Sequence, residues 1–552
     1  MRKILLSLCV ISTLALTAQY DETPPPGFTL TNDVQPAYLD VEPFDYDLLM
    51  EEAEKFEQEE GRTMNGKIRM ESFNFFEKAS LVETANGTQI WRLHIHSEGA
   101  LALNVVFDDF NLPAGSGLWI YNEDHTYFDG PHSVEENNSH GRYMTGTVYG
   151  DDLIMEYVQL VHAVSPPRLH VSGIGFMFRY EYDPLDFSRG GGSDACQVNV
   201  NCPEGDEWQC QRDGVVRLQI VDSGNTFLCS GSLVNTTALD CRQYMLTALH
   251  CVEGISDADF QLLQCKFNYE RQNCDGGPFS SSRNRTGVIH LADSNDGGGN
   301  SGSDFALFEI EDEISDAWNP FFAGWDASGT GSQGGVGIHH PSGDLKKIST
   351  YTGNLISQFV GAPGSHWQVT WTATENGHGV TEGGSSGSPI YNANKLIVGT
   401  LTGGSSFCTS PNAPDFYGKM SYHWSNNPNP ASEKLKAWLN PQDNGVNTLF
   451  GAYRPCQTES FCGTIGVDEN GLQNSGVTMM PNPTSGVFFV RSAENVTLNM
   501  VQIFNAEGQL VMEEKVNGPV KQLDLSAMPA GAYVVVFTTE LGSSEVQRLL
   551  KY

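Results

Sequence analysis

The most informative segment of this chain is Gly383-Gly384-Ser385-Ser386-Gly387-Ser388-Pro389. Glycines on both sides of Ser386 permit a tight turn, because glycine adopts backbone angles closed to other residues. A serine hydroxyl is a useful nucleophile only beside a base and beside donors for the oxyanion that its attack creates. His250 ends the run Leu246-Thr247-Ala248-Leu249-His250, and Asp304 opens another apolar run. These residues are predicted to form a serine-hydrolase site.

Each member of the set has a predicted role. Ser386 attacks the scissile carbonyl, His250 takes and returns the proton, and Asp304 fixes the imidazole tautomer. The backbone N–H groups of Gly384 and Ser386 form the oxyanion hole. The chain order His, Asp, Ser is that of chymotrypsin-type proteases, not of subtilisins or α/β-hydrolases. The alternative is a Ser/Gly-rich loop, a buried histidine and a surface acid that never meet.

The N-terminus and the cysteines indicate export. Arg2 and Lys3 precede an apolar segment, so residues 1–18 are predicted to be a secretory signal, too short to span a membrane. Twelve cysteines suit an oxidising compartment, and eleven remain once Cys9 leaves with the signal, so one lacks a partner. No doubled C-x-x-C pair typical of structural zinc occurs. No metal and no cofactor are expected.

The net charge of −36 argues against a nucleic-acid partner, which binds a basic stripe. This charge either attracts basic polypeptides at long range or keeps an extracellular protein soluble. No transmembrane segment is expected. The protein is predicted to be a monomer that acts on polypeptide substrates.

The sequence predicts an all-β protein that begins with a propeptide over 19–190. Residues 20–60 are acidic and proline-rich and predict a loose arm. Short apolar runs between turns, such as 101–107 and 117–121, then predict a β-sandwich. Arg189 precedes a glycine-rich, flexible joint and is the predicted activation cleavage site.

The remainder of the chain is predicted to contain two further domains. Residues 191–455 have the size and the short strands of a double β-barrel, closed by a helix over 432–439. Residues 456–475 are predicted to be a linker. Alternating strands over 476–552 predict a small β-sandwich.

Residues 191–455 closely resemble the lysyl endopeptidase group of chymotrypsin-fold bacterial proteases. The matching segments span nearly the whole region and are Cys196 with Asn201-Cys202-Pro203-Glu204-Gly205-Asp206, Gly231-Ser232-Leu233-Val234-Asn235, 246–251, Ala323-Gly324-Trp325-Asp326, Ile338-His339-His340-Pro341, 384–390 and Asp415-Phe416-Tyr417-Gly418. The resemblance implies a serine endopeptidase that forms an acyl-enzyme on Ser386. Its rival is a non-catalytic surface protein that binds polypeptides through a dead protease fold.

The resemblance also implies a set of disulfides, namely Cys196–Cys408, Cys202–Cys274 and Cys229–Cys251. Proximity along the chain suggests two more, Cys241–Cys265 and Cys456–Cys462. This assignment leaves Cys210 without a partner.

Substrate specificity is where the match departs from the group. Asp415 aligns with the acid that binds the substrate's basic side chain, and a buried carboxylate would pair with Lys or Arg. Trp371 matches the tryptophan of a histidine–tryptophan pair beside the triad, but Thr402 replaces the histidine. Gly403 and Gly404 complete the predicted specificity residues. The alternatives are that Asp415 is a surface acid on a turn, and that the pocket accepts small or apolar side chains.

The activation joint bears on the same question. No lysine occurs between Lys78 and Lys266, so a lysine-only enzyme could not free its own domain at Arg189. Self-processing there predicts that arginine is accepted. Ser385 stands where trypsin-like zymogens place an aspartate for their new N-terminus. Removal of an inhibitory propeptide is therefore the predicted mode of activation.

Two polar features are read as structural. His339 and His340 are adjacent, and neighbouring side chains on a strand point to opposite faces, which disfavours a shared metal. Residues 293–304 are rich in Asp, Asn and Gly and offer oxygen ligands for calcium, but they lack EF-hand spacing. A mobile loop that delivers Asp304 is the favoured interpretation.

The C-terminal stretch resembles the type A sorting domain of type IX secretion. The segments that carry this resemblance are 481–486, Asn505-Ala506-Glu507-Gly508-Gln509, Leu523-Asp524-Leu525-Ser526 and Pro529-Ala530-Gly531-Ala532-Tyr533. It implies a Gram-negative Bacteroidota source, the type IX machinery as a partner, and a location that is secreted or on the outer-membrane surface. The alternative is a substrate-binding β-sandwich module.

Overall fold

The computed structural model describes residues 23–30, 34–159, 165–179, 192–279, 283–456, 477–480, 484, 486–492, 498–505, 509–516, 520–529, 531–539 and 544–551. The chain divides into two compact units, Met1–Cys462 and Gly463–Tyr552. The predicted signal (1–18), Arg189, Cys462 and nearly all of the predicted linker lie outside the described residues. Within the described ranges, no helix is both long and apolar enough to cross a membrane.

The N-terminal region of the first unit is a β-sandwich with two α-helices. Its elements are β1 Ala37–Asp40, α1 Tyr46–Glu60, β2 Thr63–Asn74, α2 Phe75–Lys78, β3 Ser80–Glu83, β4 Gln89–His96, β5 Ala102–Asn111, β6 Ser116–Tyr121, β7 Phe128–His132, β8 Tyr143–Met144, β9 Val148–Tyr149, β10 Asp152–Gln159 and β11 Arg168–Met177. One sheet has the order β1-β4-β10-β6-β7, and β2, β11 and β5 are neighbours in the other. Leu93 and Ile95 of the first sheet share a core with Val105 and Ile174 of the second.

The prediction of a loose arm over 20–60 is wrong for much of that segment. Residues 46–60 form α1, whose first turn is capped by the Asp45 side chain. Leu49 and Ala53 are buried on one face of α1. A side-chain cap and an apolar stripe stabilise a helix even when the rest of its surface is acidic.

The catalytic region is built mainly of short strands. They are β12 Val198–Asn199, β13 Val215–Asp222, β14 Asn225–Leu233, β15 Tyr244–Thr247, β16 Gln264–Lys266, β17 Arg271–Asn273, β18 Gly276–Phe279, β19 Asn284–Thr286, β20 Val288–Asp293, β21 Ala306–Ile310, β22 Phe321–Phe322, β23 Trp325–Asp326, β24 Gln333–His339, β25 Lys347–Asn354, β26 Ile356–Val360, β27 Ala362–Val369, β28 Pro389–Asn392, β29 Ile397–Gly404, β30 Asp415–Lys419, β31 Thr448–Leu449 and β32 Ala452–Tyr453. The α-helices are α3 Gln209–Gly214, α4 Asp257–Phe260 and α5 Leu435–Leu439. The helix predicted over 432–439 is split, because Lys434 is extended between a 3-10 turn and α5.

Two barrel-like sheets make up this region, as expected for a chymotrypsin-like double barrel. The first contains β13, β14, β15, β20 and β21, and the second contains β24, β25, β27, β28, β29 and β30. Strand β2 from the N-terminal sandwich pairs antiparallel with β14. The sandwich sheet that contains β2, β11 and β5 is therefore continuous with the first barrel, whereas the sheet β1-β4-β10-β6-β7 is separate.

The described disulfides include the three pairs that the resemblance implies, Cys196–Cys408, Cys202–Cys274 and Cys229–Cys251. The two pairings inferred from proximity along the chain are wrong. Cys241 pairs with Cys456, which is 215 residues away in sequence. Cys210 is also disulfide-bonded. The free cysteine of the described chain is Cys265, which is buried.

The second unit is a small β-sandwich. Its strands are β33 Val477–Met480, β34 Val487–Ser492, β35 Leu498–Phe504, β36 Leu510–Lys515, β37 Val520–Asp524, β38 Gly531–Thr539 and β39 Ser544–Lys551. They form two sheets, β33-β34-β37 and β36-β35-β38-β39. Phe488, Val501, Val535 and Phe537 belong to its buried core.

Candidate active site

His250 and Asp304 meet at two points. The backbone N–H of His250 donates to Asp304 Oδ1 at 2.9 Å, and His250 Nδ1 lies 2.7 Å from Asp304 Oδ2. Asp304 is fully buried and His250 nearly so. This arrangement leaves Nε2 as the free nitrogen of the imidazole, which is the geometry of a base oriented by an acid.

The two groups stabilise each other's charge. Burial lowers the pKa of His250, but the Asp304 carboxylate outweighs burial and raises this pKa above its usual 6.5. Burial raises the pKa of Asp304, but the charge and hydrogen bonds of His250 outweigh that effect and hold it below its usual range. Asp304 is thus an anion at neutral pH.

Asp304 has an unusual backbone conformation that its loop enforces. Its φ angle is 61°, in the left-handed region that costs free energy for a residue with a Cβ. The N–H of Asp304 donates to Asp296 Oδ2 at 2.9 Å, and Asp296 Oδ1 accepts the N–H of Gly299 at the same distance. The loop over 293–304 therefore uses a carboxylate to position another carboxylate, a role that the sequence did not reveal.

Ser386 lies on a turn that packs against the segment leading into His250. The Ser230 N–H donates to the Ser386 carbonyl at 2.8 Å. A Cβ on Gly387 would lie 2.0 Å from Thr247 Oγ1, so the turn lies against the segment that leads into His250. The Gly384 and Gly387 φ angles are 86° and 78°, which explains the glycines. In the described chain, the Ser386 hydroxyl makes no hydrogen bond to His250.

The donors predicted for the oxyanion hole are open. Within the described ranges, neither the Gly384 N–H nor the Ser386 N–H donates to a protein acceptor. The Ser230 hydroxyl holds the Gly384 carbonyl at 2.9 Å. The turn is thus fixed through its carbonyl groups while these two donors remain available.

Ser385 anchors the turn from the interior. Its Oγ lies 2.8 Å from Nδ1 of His339, whose Nε2 lies 3.0 Å from Ser349 Oγ. Burial lowers the pKa of His339 to about 3, so this histidine is a neutral hydrogen-bonding group. His340 is directed elsewhere, with Nδ1 2.9 Å from the Asp344 carbonyl.

Asp415 is a buried acid surrounded by donors. Its Oδ2 accepts from Trp371 Nε1 at 2.6 Å, Thr381 Oγ1 at 2.8 Å and Ser406 Oγ at 2.6 Å, and its Oδ1 accepts from the Ser406 N–H at 3.1 Å. Burial raises the pKa of Asp415, and these hydrogen bonds oppose the rise. The surface-acid alternative does not fit a residue with 0% exposure.

Gly403 and Gly404 lie beside Asp415 on the neighbouring strand. Gly404 pairs with Asp415 and Gly403 with Phe416. A Cβ on Gly404 would lie 1.9 Å from Asp415 Oδ1. Any larger residue would therefore displace the carboxylate.

Thr402 contacts a histidine that the sequence did not single out. His366 is buried, and its Nε2 lies 3.0 Å from Thr402 Oγ1. The Thr402 hydroxyl also favours the ionised form of Asp304 and contributes, after His250, to its low pKa. Trp371, the expected neighbour of position 402, has its indole N–H on Asp415 instead.

Two residues of the N-terminal sandwich also reach the site. Arg62 carries a charge that lowers the pKa of His250. A Cβ on Gly383 would lie 2.4 Å from Thr63 Oγ1. Sequence patterns could not show these contacts, because they join segments more than 180 residues apart.

The cysteines grouped with His250 offer it no partner ligands for a metal. The cluster around His250 includes Cys229 and Cys251, whose sulfurs are bonded to each other and supply no thiolate. Away from the site, His94 and His96 both contact Asp152 Oδ1, at 2.6 and 3.0 Å.

Two known families match separate parts of the chain. Residues 190–418 match the family "Lysyl endopeptidase, C-terminal domain", and residues 478–551 match the "Secretion system C-terminal sorting domain". A lysyl endopeptidase from Pseudomonas aeruginosa is 25% identical over 366 residues, which are 62% of this chain and 74% of that protein.

Solved structures of serine proteases are also similar to this chain. The secreted serine protease VesC from Vibrio cholerae is 12% identical with a TM-score of 0.28, and the match covers 61% of this chain and 68% of VesC. The protease Anisep from Arthrobacter nicotinovorans is 14% identical with a TM-score of 0.27, and the match covers 38% of this chain and 90% of Anisep. The sequence matches, together with the site, identify the chain as a serine protease with a lysyl endopeptidase-type catalytic domain and a secretion system C-terminal sorting domain.

Proposed function

We propose that this protease cleaves polypeptides after Lys or Arg through an acyl-enzyme on Ser386. Ser386 Oγ attacks the carbonyl carbon while His250 Nε2 accepts its proton. His250 then protonates the departing amine, and the peptide bond breaks. Water, deprotonated by His250, releases the acyl group and restores the Ser386 hydroxyl.

The observation that carries the proposed chemistry is the His250–Asp304 pair, which two hydrogen bonds join near the Ser386 turn. The open N–H groups of Gly384 and Ser386 supply the oxyanion donors. Such preorganised donors are worth about 10²–10³ in rate when one of them is removed from an enzyme.

The proposed specificity rests on Asp415. It is a buried carboxylate beside Gly403 and Gly404, which directly follow Thr402 on β29, and its four hydrogen bonds favour the ionised form. The fixed negative charge of Asp415 would pair with an ammonium or guanidinium group that enters this region. A neutral side chain would gain no such ion pair. The Pseudomonas relative is a lysyl endopeptidase by name, which agrees with a basic preference.

The N-terminal sandwich is proposed to be a propeptide, and the C-terminal sandwich an address for export. A type IX secretion route, a Bacteroidota source and passage to the cell surface or beyond are the proposed context for the sorting domain. The boundary near Arg189 remains a prediction.

The test is digestion of a denatured protein by the secreted, processed enzyme, with the new peptide ends read by mass spectrometry. Ends after Arg and Lys that disappear with Ser386→Ala would support both chemistry and specificity. Ends after other residues would leave the chemistry and refute the role of Asp415. No cleavage by folded, processed wild type would refute the proposal.

A further inference from the structure

The strand β14 has one edge that serves three purposes. Along its other edge it pairs with β13 for its full length. On the edge in question, Ser232 and Leu233 pair with β15, which leads to His250, and Ser230 donates to the Ser386 carbonyl. Residues Asn225–Leu228 of this edge pair with Lys67–Thr63 of β2. The N-terminal strand thus begins opposite Leu228, which is two residues, about 7 Å, from Ser230, the residue whose N–H holds the Ser386 carbonyl.

The position of this edge relative to Asp415 identifies which part of a substrate would use it. Asp415 and Gly404 lie on β30 and β29 of the second barrel, whereas β14 belongs to the first. A basic residue before the scissile bond enters the Asp415 side. Residues after the bond must therefore leave Ser386 across the first barrel, along the edge of β14.

We propose that Arg62 to Lys67 form an inhibitory strand that occupies the binding site for the leaving-group half of the substrate. This inference rests on the proposed function of Ser386 and Asp415. The occupant is an extended peptide held by strand pairing, which is the way sheet edges commonly bind polypeptides. Once the N-terminal region is removed, the same edge accepts substrate.

The beginning of the strand is anchored tightly at the site. Arg62 is 6% exposed and Thr63 is 3% exposed. The Arg62 guanidinium lies 3.8 Å from the centre of the Phe227 ring and donates to Asp222 Oδ2 at 2.8 Å. Thr63 packs against Gly383, next to the oxyanion donor Gly384.

The strand is held so that it is not itself a substrate. Helix α1 ends immediately before it, and the N–H of the capping residue Gly61 donates to the Phe56 carbonyl. Phe56 in turn packs on Phe227 with ring centres 5.0 Å apart. The chain therefore turns into α1 directly before the strand and does not continue there as an extended peptide past Ser386.

The experiment compares the intact full chain, isolated before processing, with the processed enzyme. Two substrates share the residue that the mapping experiment finds before the cleaved bond. One carries a small chromogenic amine after it, and the other carries four further residues. The ratio of the cleavage rate of the longer substrate to that of the short one should be about tenfold or more lower for the intact chain than for the processed enzyme. The reason is that only the fraction of intact molecules with an open β14 edge can bind the longer substrate.

The matched variants are Arg62→Ala/Thr63→Gly and Met70→Ala. Met70 lies on the same strand but is 73% exposed and pairs with β11 rather than β14. The double variant, still uncleaved, should recover the longer substrate to within about threefold of the processed enzyme, whereas Met70→Ala should not. Equal rates on the longer substrate for intact and processed wild type, equal slowing of both substrates, or no recovery in the folded double variant would overturn the inference.

Hydrogen exchange provides a readout that does not depend on the variants. The amides of Asn225–Leu228 should exchange faster after processing than in the intact chain, and unchanged protection would contradict the inference. Failure of the proposed function would look different, since the processed enzyme would then cleave neither substrate.

Discussion

Asp296 Oδ2 accepts the backbone N–H of Asp304 at 2.9 Å, so one buried acid positions another. Asp296→Asn removes one carboxylate oxygen and places an NH₂ group toward a backbone N–H. We expect kcat to fall about 10- to 100-fold with little change in KM, because misplacing a catalytic group costs rate more than binding. Steady-state kinetics on a peptide substrate measures this.

The matched control is Asp293→Asn in the same loop. Asp293 accepts the Asn295 N–H at 2.7 Å and lies 3.1 Å from His290, without a side-chain contact to Asp304. Its kcat should stay within about threefold of wild type. An equal loss in both variants would mean that Asp296 only maintains the loop.

The sequence indicated the candidate catalytic set because each proposed member lies in a local pattern. Ser386 has flanking glycines, His250 ends an apolar run and Asp304 begins one. Asp296, His366 and Arg62 have no such pattern. Their roles depend on which segments the fold brings together, and a single sequence does not record that.

The errors of fold prediction have the same origin. The acidic composition of 46–60 concealed the buried face of α1, which includes Leu49 and Ala53. Proximity along the chain suggested Cys241–Cys265, but the barrel brings Cys241 to Cys456. Strand positions were easier to predict, since alternation of buried and exposed side chains is a local property.

Thr402 is expected to support the charge of Asp304. Its hydroxyl favours the ionised form of Asp304 and lies 3.0 Å from His366 Nε2. A hydrogen bond to a charged group contributes roughly 1.5–3 kcal/mol, so Thr402→Val should lower kcat/KM by about tenfold or more. The exposed Thr352→Val provides a control for the substitution itself. Unchanged kcat/KM in Thr402→Val would show that Asp304 does not need this donor.

The activity should be lost on the acid side through protonation of His250. Burial lowers the pKa of His250, but Asp304 outweighs it and raises the pKa above 6.5. A base works only when neutral, so kcat/KM should fall as the pH drops through a midpoint above 6.5. Because Arg62 lowers the same pKa, the midpoint should lie higher in the processed enzyme than in the intact chain.

Asp304→Asn tests the cause of that shift. Without the carboxylate the midpoint of the acid limb should move down, and kcat should fall by about 10⁴. The measurement is the pH dependence of kcat/KM for both proteins with one short substrate. If the midpoint of the acid limb does not move in Asp304→Asn, a group other than His250 causes the loss of activity at low pH.

Asp415→Asn should separate substrate selection from nucleophile reactivity. Leaving a buried cationic side chain without its partner costs about 2–5 kcal/mol, so kcat/KM after Lys and Arg should fall roughly 30-fold or more. Ser386 should still react with a fluorophosphonate probe at a rate within about threefold of wild type.

Gly404→Ala approaches the same carboxylate from the neighbouring strand, since its Cβ would lie 1.9 Å from Asp415 Oδ1. Like Asp415→Asn, it should reduce cleavage after basic residues. Asp326→Asn, on β23 of the second barrel, should not. A parallel loss of probe labelling in Asp415→Asn would mean that Asp415 maintains the nucleophile turn. Loss of basic cleavage with labelling retained would leave selection of the substrate side chain as its role.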